Sequence, residues 1–290
     1  MFFLQCCSSG IIYGCIYTLM ALGFVVIFKA TTVVNFALGE VVLLGAYFGF
    51  TFHVIFKIPY VISFILTIAC VSFLGIAMDR GICRPLLKAP IFSTIMATLA
   101  LGMIIREGAR GVWGSLPYTF PPIFPAKPLS IGGILVTPLA LYVVAATAVV
   151  IVSFFILFRY TKVGNAMWAV CQNRRASLLM GISVKKVFTL TWAFAGALGA
   201  VSGILAAPFI IIEPGMGFIG FKGFVVAVLG GFTSIPGAIV AGPFLGVLEN
   251  LAGGYLTSAF RDVIAFLVLM FVLVVRPQGL FPESRYKRKT

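Results

Sequence analysis

Charge is scarce in this chain of 290 residues: only 10% are Asp, Glu, Lys or Arg, with seven acids and one histidine, His53. Acids this few give no paired carboxylates and no nucleophile–base grouping, so nothing on the page points to an enzyme. The six cysteines (Cys6, Cys7, Cys15, Cys70, Cys83, Cys171) contain no CxxC spacing and mostly lie inside apolar runs. They indicate neither a disulfide framework nor a zinc site and read as small apolar fillers. No G-x-x-x-x-G-K-[ST] loop is present to cradle nucleotide phosphates.

What the chain has instead is hydrophobicity, 61% of residues. Its apolar runs are long enough to cross a hydrocarbon core, which takes about 20 residues of helix. Because lipid demands that every backbone polar group be paired internally, long runs predict helices rather than the short alternating segments of a barrel. The fold class is therefore all-α, a polytopic transmembrane bundle of about eight to nine spans, read as one domain over 1–290. Spans are expected near 8–28, 40–56, 60–78, 91–105, 134–158, 187–212, 221–235, 237–251 and 261–275. The pieces between Phe221 and Leu251, cut by Thr233-Ser234-Ile235-Pro236-Gly237, look like broken or re-entrant helices. Glycines four apart (Gly10/Gly14, Gly45/Gly49, Gly199/Gly203, Gly242/Gly246) predict close helix packing.

The net charge of +14 follows from basic loops, the signature of the positive-inside rule, and needs no nucleic-acid partner. The loop 159–186 holds Arg159, Lys162, Arg174, Arg175, Lys185 and Lys186 without an acid, and is expected in the cytoplasm. So is the segment 276–290, whose basic cluster 284–289 is read as an orientation signal, while the Pro-rich stretch 116–128 falls on the opposite side. Nine crossings would then leave the N-terminus outside and the C-terminus inside. Leu4-Gln5-Cys6 lacks the basic and apolar lead-in of a lipoprotein signal, so Met1 is expected to start the mature chain.

Five stretches, in order, carry a family likeness: GIIYGCIYTLMALGFVVIFKATTVVNFALGEVVLLGAY (10–47), CRPLLKAP (83–90), QNRRASLLMGI (172–182), AVLGGFTSIPGAIVAGPFLGVLE (227–249) and RPQGLF (276–281). Together they resemble the LivH-type permease subunit of branched-chain amino acid ABC importers. The resemblance implies a multi-pass protein of the bacterial inner membrane. It would pair with a second, LivM-type permease, two cytoplasmic ATPase subunits that bind the ATP and Mg, and a periplasmic solute-binding protein; this chain would carry no cofactor. Branched-chain amino acids are the implied cargo. The competing reading is a self-contained channel or ion-coupled carrier for a small solute such as urea or an amide.

Within 159–186, a short helix near 174–180 would set Ala176, Leu179 and Met180 on one side, ended by Gly181 in the left-handed region. Arg174 and Arg175 would project to solvent or acidic groups, and the resemblance makes the helix the coupling helix that docks on the ATPase, with Ser177 part of it. Relatives usually read Glu-Ala-Ala where this chain has Arg175-Ala176-Ser177. For the solute path, the candidates are Asn35 and Glu40 at the start of the second span, Thr98 in the fourth, and Thr233, Ser234 and Pro236 at the C-terminal break. Two roles fit Glu40: capping a helix N-terminus, or lining the path as an acid at membrane depth. Leu38 stands where relatives usually carry His or Gln. His53 is expected at an interface, Arg106, Glu107 and Arg110 as a structural cluster at the outer end of the fourth span, and Glu213 and Glu249 in loops or at helix ends.

Overall fold

The computed structural model describes residues 2–123, 129–131, 134–257 and 259–281, with side chains described at all of these except 87, 88, 129–131, 134 and 135. The basic cluster 284–289 and residues 124–128 of the Pro-rich stretch lie outside the described residues.

Among the described residues, nine helices form the bundle: α1 (Phe2–Thr31), α2 (Leu38–Phe50), α3 (Tyr60–Met78), α4 (Ile91–Trp113), α5 (Pro138–Tyr160), α8 (Val184–Ala206), α9 (Ile219–Gly230), α10 (Ile235–Tyr255) and α11 (Phe260–Val275). Two short helices, α6 (Lys162–Gln172) and α7 (Arg174–Leu179), join α5 to α8, and a hairpin of β1 (Leu129–Ile131) and β2 (Ile134–Val136) precedes α5. Among the described residues, seven helices are long and apolar enough to cross a membrane, α2 and α3 counting their π-turn extensions to Ile55 and Cys83. α1 sits at the centre: most of its length is buried, against α10, α8 and α9.

The spaced glycines set that centre. Gly10 and Gly14 of α1 face Val247 and Pro243 of α10, which runs antiparallel to it; a Cβ on Gly14 would stand 2.5 Å from the Pro243 Cα. Gly45 of α2 meets Ala200 of α8 in the same way. Small residues let these backbones touch, and the dispersion contacts so gained drive helix association where lipid supplies no hydrophobic effect.

Element boundaries differ from the expected spans for identifiable reasons. α4 runs to Trp113 rather than 105, carrying Arg106 and Arg110 inside a helix. Residues 134–136 pair as β2, and α5 begins only at Pro138, whose ring suits a first turn and whose preceding Thr137 accepts from the Ala140 N–H at 3.3 Å. α8 ends at Ala206 because Pro208 disfavours helix in the residue before it. α10 is not a broken half: it starts at the Ser234 cap, with Pro236 in the first turn where a missing N–H does no harm, and continues for 21 residues. The short piece is α9, 12 residues entered through a 3₁₀ turn at Pro214–Phe218.

Two chain segments thus start helices away from the bundle ends. The Ala37 Cα lies 3.5 Å from a Cβ placed on Gly102, so α2 begins beside the middle of α4, roughly 10 Å or more above Ile91 at 1.5 Å rise per residue. α9 begins beside α2, since Gly220 packs on Gly39. The first and last described residues lie at opposite ends of the bundle: Phe2 packs edge-on against Tyr255, whereas the 276–281 segment closes on Gly231, with the Leu280 N–H donating to the Leu229 carbonyl at 2.8 Å. Arg84, Arg159, Lys162, Arg174, Arg175, Lys185 and Lys186 gather near the latter, here called the basic end.

Candidate functional site

At the basic end α7 forms a rigid knob. Asn173 caps it, its Oδ1 accepting from the Arg175 and Ala176 N–H groups at 3.0 Å each, and the buried Ser177 hydroxyl donates to the Asn173 carbonyl at 2.9 Å. Gly181 takes φ +80°, the left-handed turn that lets the chain reverse into α8. Leu179 and Met180 are 90% and 82% exposed, with Leu178 beside them also exposed. Three large apolar side chains on one protruding turn, among cationic residues, form an apolar tip of the kind that marks an interaction site. Arg175 and Ala176 share the exposed surface.

Arg174 departs from the expected solvent-facing pose. Its Nη2 donates to the carbonyls of Thr31 at 2.8 Å and Ala30 at 3.3 Å, and its guanidinium lies 5.1 Å from the Phe188 ring centre. The last carbonyls of a helix have no intrahelical partner and carry its negative pole, so they draw the cation inward. α7 is thereby tied to the end of α1 and to α8. Nearby, Asp79 accepts from Arg84 at 2.7 Å and from the Thr189 hydroxyl at 2.8 Å, fastening the 79–84 turn to the same α8.

A second constellation lies at depth, where α2, α4 and α9 meet. Asn35, fully buried, accepts from the Ala37 N–H at 3.0 Å, and the buried Thr98 hydroxyl accepts from the Phe36 N–H at 3.4 Å while donating to Ile95 at 2.9 Å. These bonds satisfy the non-helical approach to α2, whose free backbone groups would otherwise stand unpaired inside the membrane. The approach delivers Glu40, 5% exposed, to Arg106 of α4, whose Nε donates to Oε1 at 3.0 Å with Nη2 on the same oxygen. Arg106 sits seven residues before Trp113, roughly 10 Å inside the far end of α4. An unpaired arginine there would cost about 3 kcal/mol or more to insert, which the Glu40 carboxylate offsets. The pair joins two helices, while Arg110 bonds Glu107 on its own helix at 2.7 Å. Arg106 is therefore not part of a cluster at the end of the span.

The structure brings Asn35, Glu40 and Thr98 together and sets Thr233, Ser234 and Pro236 apart from them. Thr233 and Ser234 occupy the turn between α9 and α10 at the basic end, where Ser234 accepts from the Gly237 N–H at 3.1 Å, and Pro236, in the first turn of α10, borders a 530 Å³ recess with Lys29 and Trp168.

Residues 7–273 match the family described as branched-chain amino acid transport system permease component. The chain belongs to this family. The permease is 29% identical over 99% of its length to the high-affinity branched-chain amino acid transport system permease protein LivH of Salmonella typhimurium, covering 98% of that protein. It is 28% identical, at the same coverage of both chains, to the permease protein BraD of Pseudomonas aeruginosa. A solved structure of PsaBC from Streptococcus pneumoniae in complex with Fab shares the fold, with a TM-score of 0.50 at 14% identity over 99% of this chain and 94% of that one.

The permease also holds a charged cluster that its sequence does not announce. Glu249 lies inside α10, 1% exposed, rather than at a helix end; it accepts from the Tyr17 hydroxyl at 2.8 Å and from Lys222 of α9 at 3.1 Å. Lys222 also meets Asp262 of α11 at 2.9 Å. Four helices are tied by this cluster, beside a 200 Å³ recess lined by Tyr13, Asn250 and Arg261 among others. The signal that could have found it is an acid and a lysine inside apolar runs, since such residues survive there when paired. Among the described residues, no group of three or more His, Cys, Asp or Glu could hold a metal ion.

Proposed function

We propose that this permease is one of two membrane subunits of an ABC importer in the bacterial inner membrane, carrying branched-chain amino acids delivered by a periplasmic binding protein. Two cytoplasmic ATPase subunits bind ATP and Mg and supply the work. The basic end, with the C-terminus, faces the cytoplasm under the positive-inside rule. The observation that carries this reading is the exposed tip of α7: Leu179 and Met180 protrude from a knob anchored to the bundle.

The mechanism follows from how that knob is mounted. An apolar tip fits a groove on a soluble partner as helix-in-groove recognition does. When the ATPases close, the tip moves with them. Arg174 passes the displacement to the last turn of α1, and the Gly181 turn passes it to α8. α1 is the bundle's centre, so a shift there changes its packing against α10 and α9, which is a route for rocking one group of helices against another.

The test is uptake of labelled L-leucine into proteoliposomes. The chain with its second permease, ATPases and binding protein should accumulate leucine only with ATP on the ATPase side, and the chain alone should accumulate none. Nucleotide-independent transport by the chain alone would contradict the proposal.

A further inference from the structure

Between α5 and α10 at the basic end lies the 530 Å³ recess that Pro236 borders. Its volume falls among those of small-molecule sites, roughly 300–1,000 Å³. α1 forms the floor, since it packs on both α5 and α10, and α6 supplies a further wall. Lys29 and Arg159 line the recess, each in the last turn of its helix, α1 and α5. Asn165 and Trp168 of α6 line it with them, and among the described residues no acid does. The Lys29 ammonium lies 4.9 Å from the Trp168 ring centre.

Away from this end the walls turn apolar. On α5, Val152 and Phe155 precede Arg159 by seven and four positions and share its side of the helix; both are exposed. On α10, Val240 and Phe244 follow Pro236 by four and eight positions and are exposed as well. Both helices are long and apolar enough to span, so the two strips run from the recess toward the middle of the bilayer. Tyr160, exposed, and Trp168 mark the level of the recess as the interface, where aromatic side chains of spanning helices gather. Basic pockets at this level, between spanning helices, suit lipid headgroups. A soluble anion would match the two cations and leave the apolar cleft below them uncovered. A zwitterionic headgroup would bring its own ammonium to a recess that is already cationic, and the indole best suited to a choline already holds Lys29.

We propose that this recess binds an anionic phospholipid of the leaflet at the basic end. Lys29 and Arg159 take the headgroup phosphate, and an acyl chain follows the cleft past Phe155 of α5 and Val240 of α10. Charge-assisted bonds to a phosphate are the strong kind, and the chain covers apolar surface that the protein leaves bare. The lipid fills the gap between α5 and α10 and braces α6, the helix that leads into α7. The site requires only that α5 and α10 span the bilayer, so it stands apart from the cargo and the energy source of the importer.

The assay places the full chain, with the subunits that copurify with it, in nanodiscs of equal parts phosphatidylglycerol and phosphatidylcholine with matched acyl chains. Phe155 is replaced by p-benzoylphenylalanine, and its photoadducts are identified by peptide mass spectrometry. Phosphatidylglycerol adducts should exceed phosphatidylcholine adducts at least threefold. The ratio should be near one at Phe73, exposed and five residues before the end of α3 as Phe155 is before the end of α5. A ratio near one at 155, or adducts to a protein subunit in place of lipid, would overturn the site. Lys29→Gln/Arg159→Gln should bring the ratio at 155 to near one, and Lys29→Arg/Arg159→Lys should keep it. Lys185→Gln/Lys186→Gln, the same loss of charge on exposed residues of α8, should also keep it. An equal fall in that variant would reduce the preference to the general field of the basic end and overturn the site. Inorganic phosphate added at constant ionic strength should leave the ratio unchanged; its collapse would assign the recess to a soluble phosphate and overturn the lipid. Without any substitution, the unfolding midpoint should stand several degrees higher in phosphatidylglycerol than in phosphatidylcholine, and equal midpoints would contradict the bracing of α5 and α6.

Discussion

Arg174 is the residue through which the α7 knob meets the bundle. Its bonds to the Thr31 and Ala30 carbonyls are charge-assisted and partly shielded, the setting in which such contacts hold best. Arg174→Ala should leave those carbonyls to water and loosen the knob. The assembled importer should then hydrolyse ATP near its normal rate but move several-fold less leucine per ATP, read as the uptake-to-phosphate ratio; an unchanged ratio would remove Arg174 from the coupling route. From the sequence, Arg174 and Arg175 look equivalent, and only the position of the end of α1 separates them. The same holds for Arg106. A charged triplet at 106, 107 and 110 reads as the end of a span until Glu40, 66 residues away, is found to neutralise it. Charges that pair across the fold are illegible in one sequence, because their partner is a matter of tertiary contact.

At the scale of elements, the α1–α10 contact is the tightest claim. Gly14→Leu would push a side chain into the Pro243 backbone, and the helices must part or tilt. Overpacking of this kind costs about 1–3 kcal/mol. The variant should lower the midpoint of thermal unfolding in detergent by several degrees, whereas Gly108→Leu, at a glycine with open space around it, should not. Equal effects of the two would argue against close packing at Gly14. Glycine spacing made this contact legible in outline, since every expected pair is a pair of small residues four apart. Spans were legible too, because hydrophobic length is a local property. What stayed hidden was which short helix starts at depth: the Thr233–Gly237 break draws the eye, yet it is an end turn, and the helices that begin at depth are α2 and α9.

Across the whole molecule, the two constellations stand at different levels: an apolar tip on α7 at the basic end, and the Glu40–Arg106 pair where α2, α4 and α9 converge. α1 links them, since its last turn holds Arg174 and its interior packs on α9 through Met20 and Gly223. The Glu249–Lys222–Asp262 cluster ties α9 to α10 and α11 from the other side. α9 therefore lies between two ion pairs whose carboxylates, Glu40 and Glu249, are buried, and against the helix that receives the push. That arrangement makes the exposed tip the entry point of the mechanical work. The most direct measurement of this claim is a disulfide crosslink in the assembled importer, between Leu179→Cys, in a Cys171→Ser background, and a cysteine in the groove of the ATPase partner. The pair should crosslink in high yield and the crosslinked importer should stop taking up leucine until reduced. No crosslink at 179, while a cysteine placed at Lys162 of the same loop crosslinks readily to the ATPase, would contradict docking through the α7 tip.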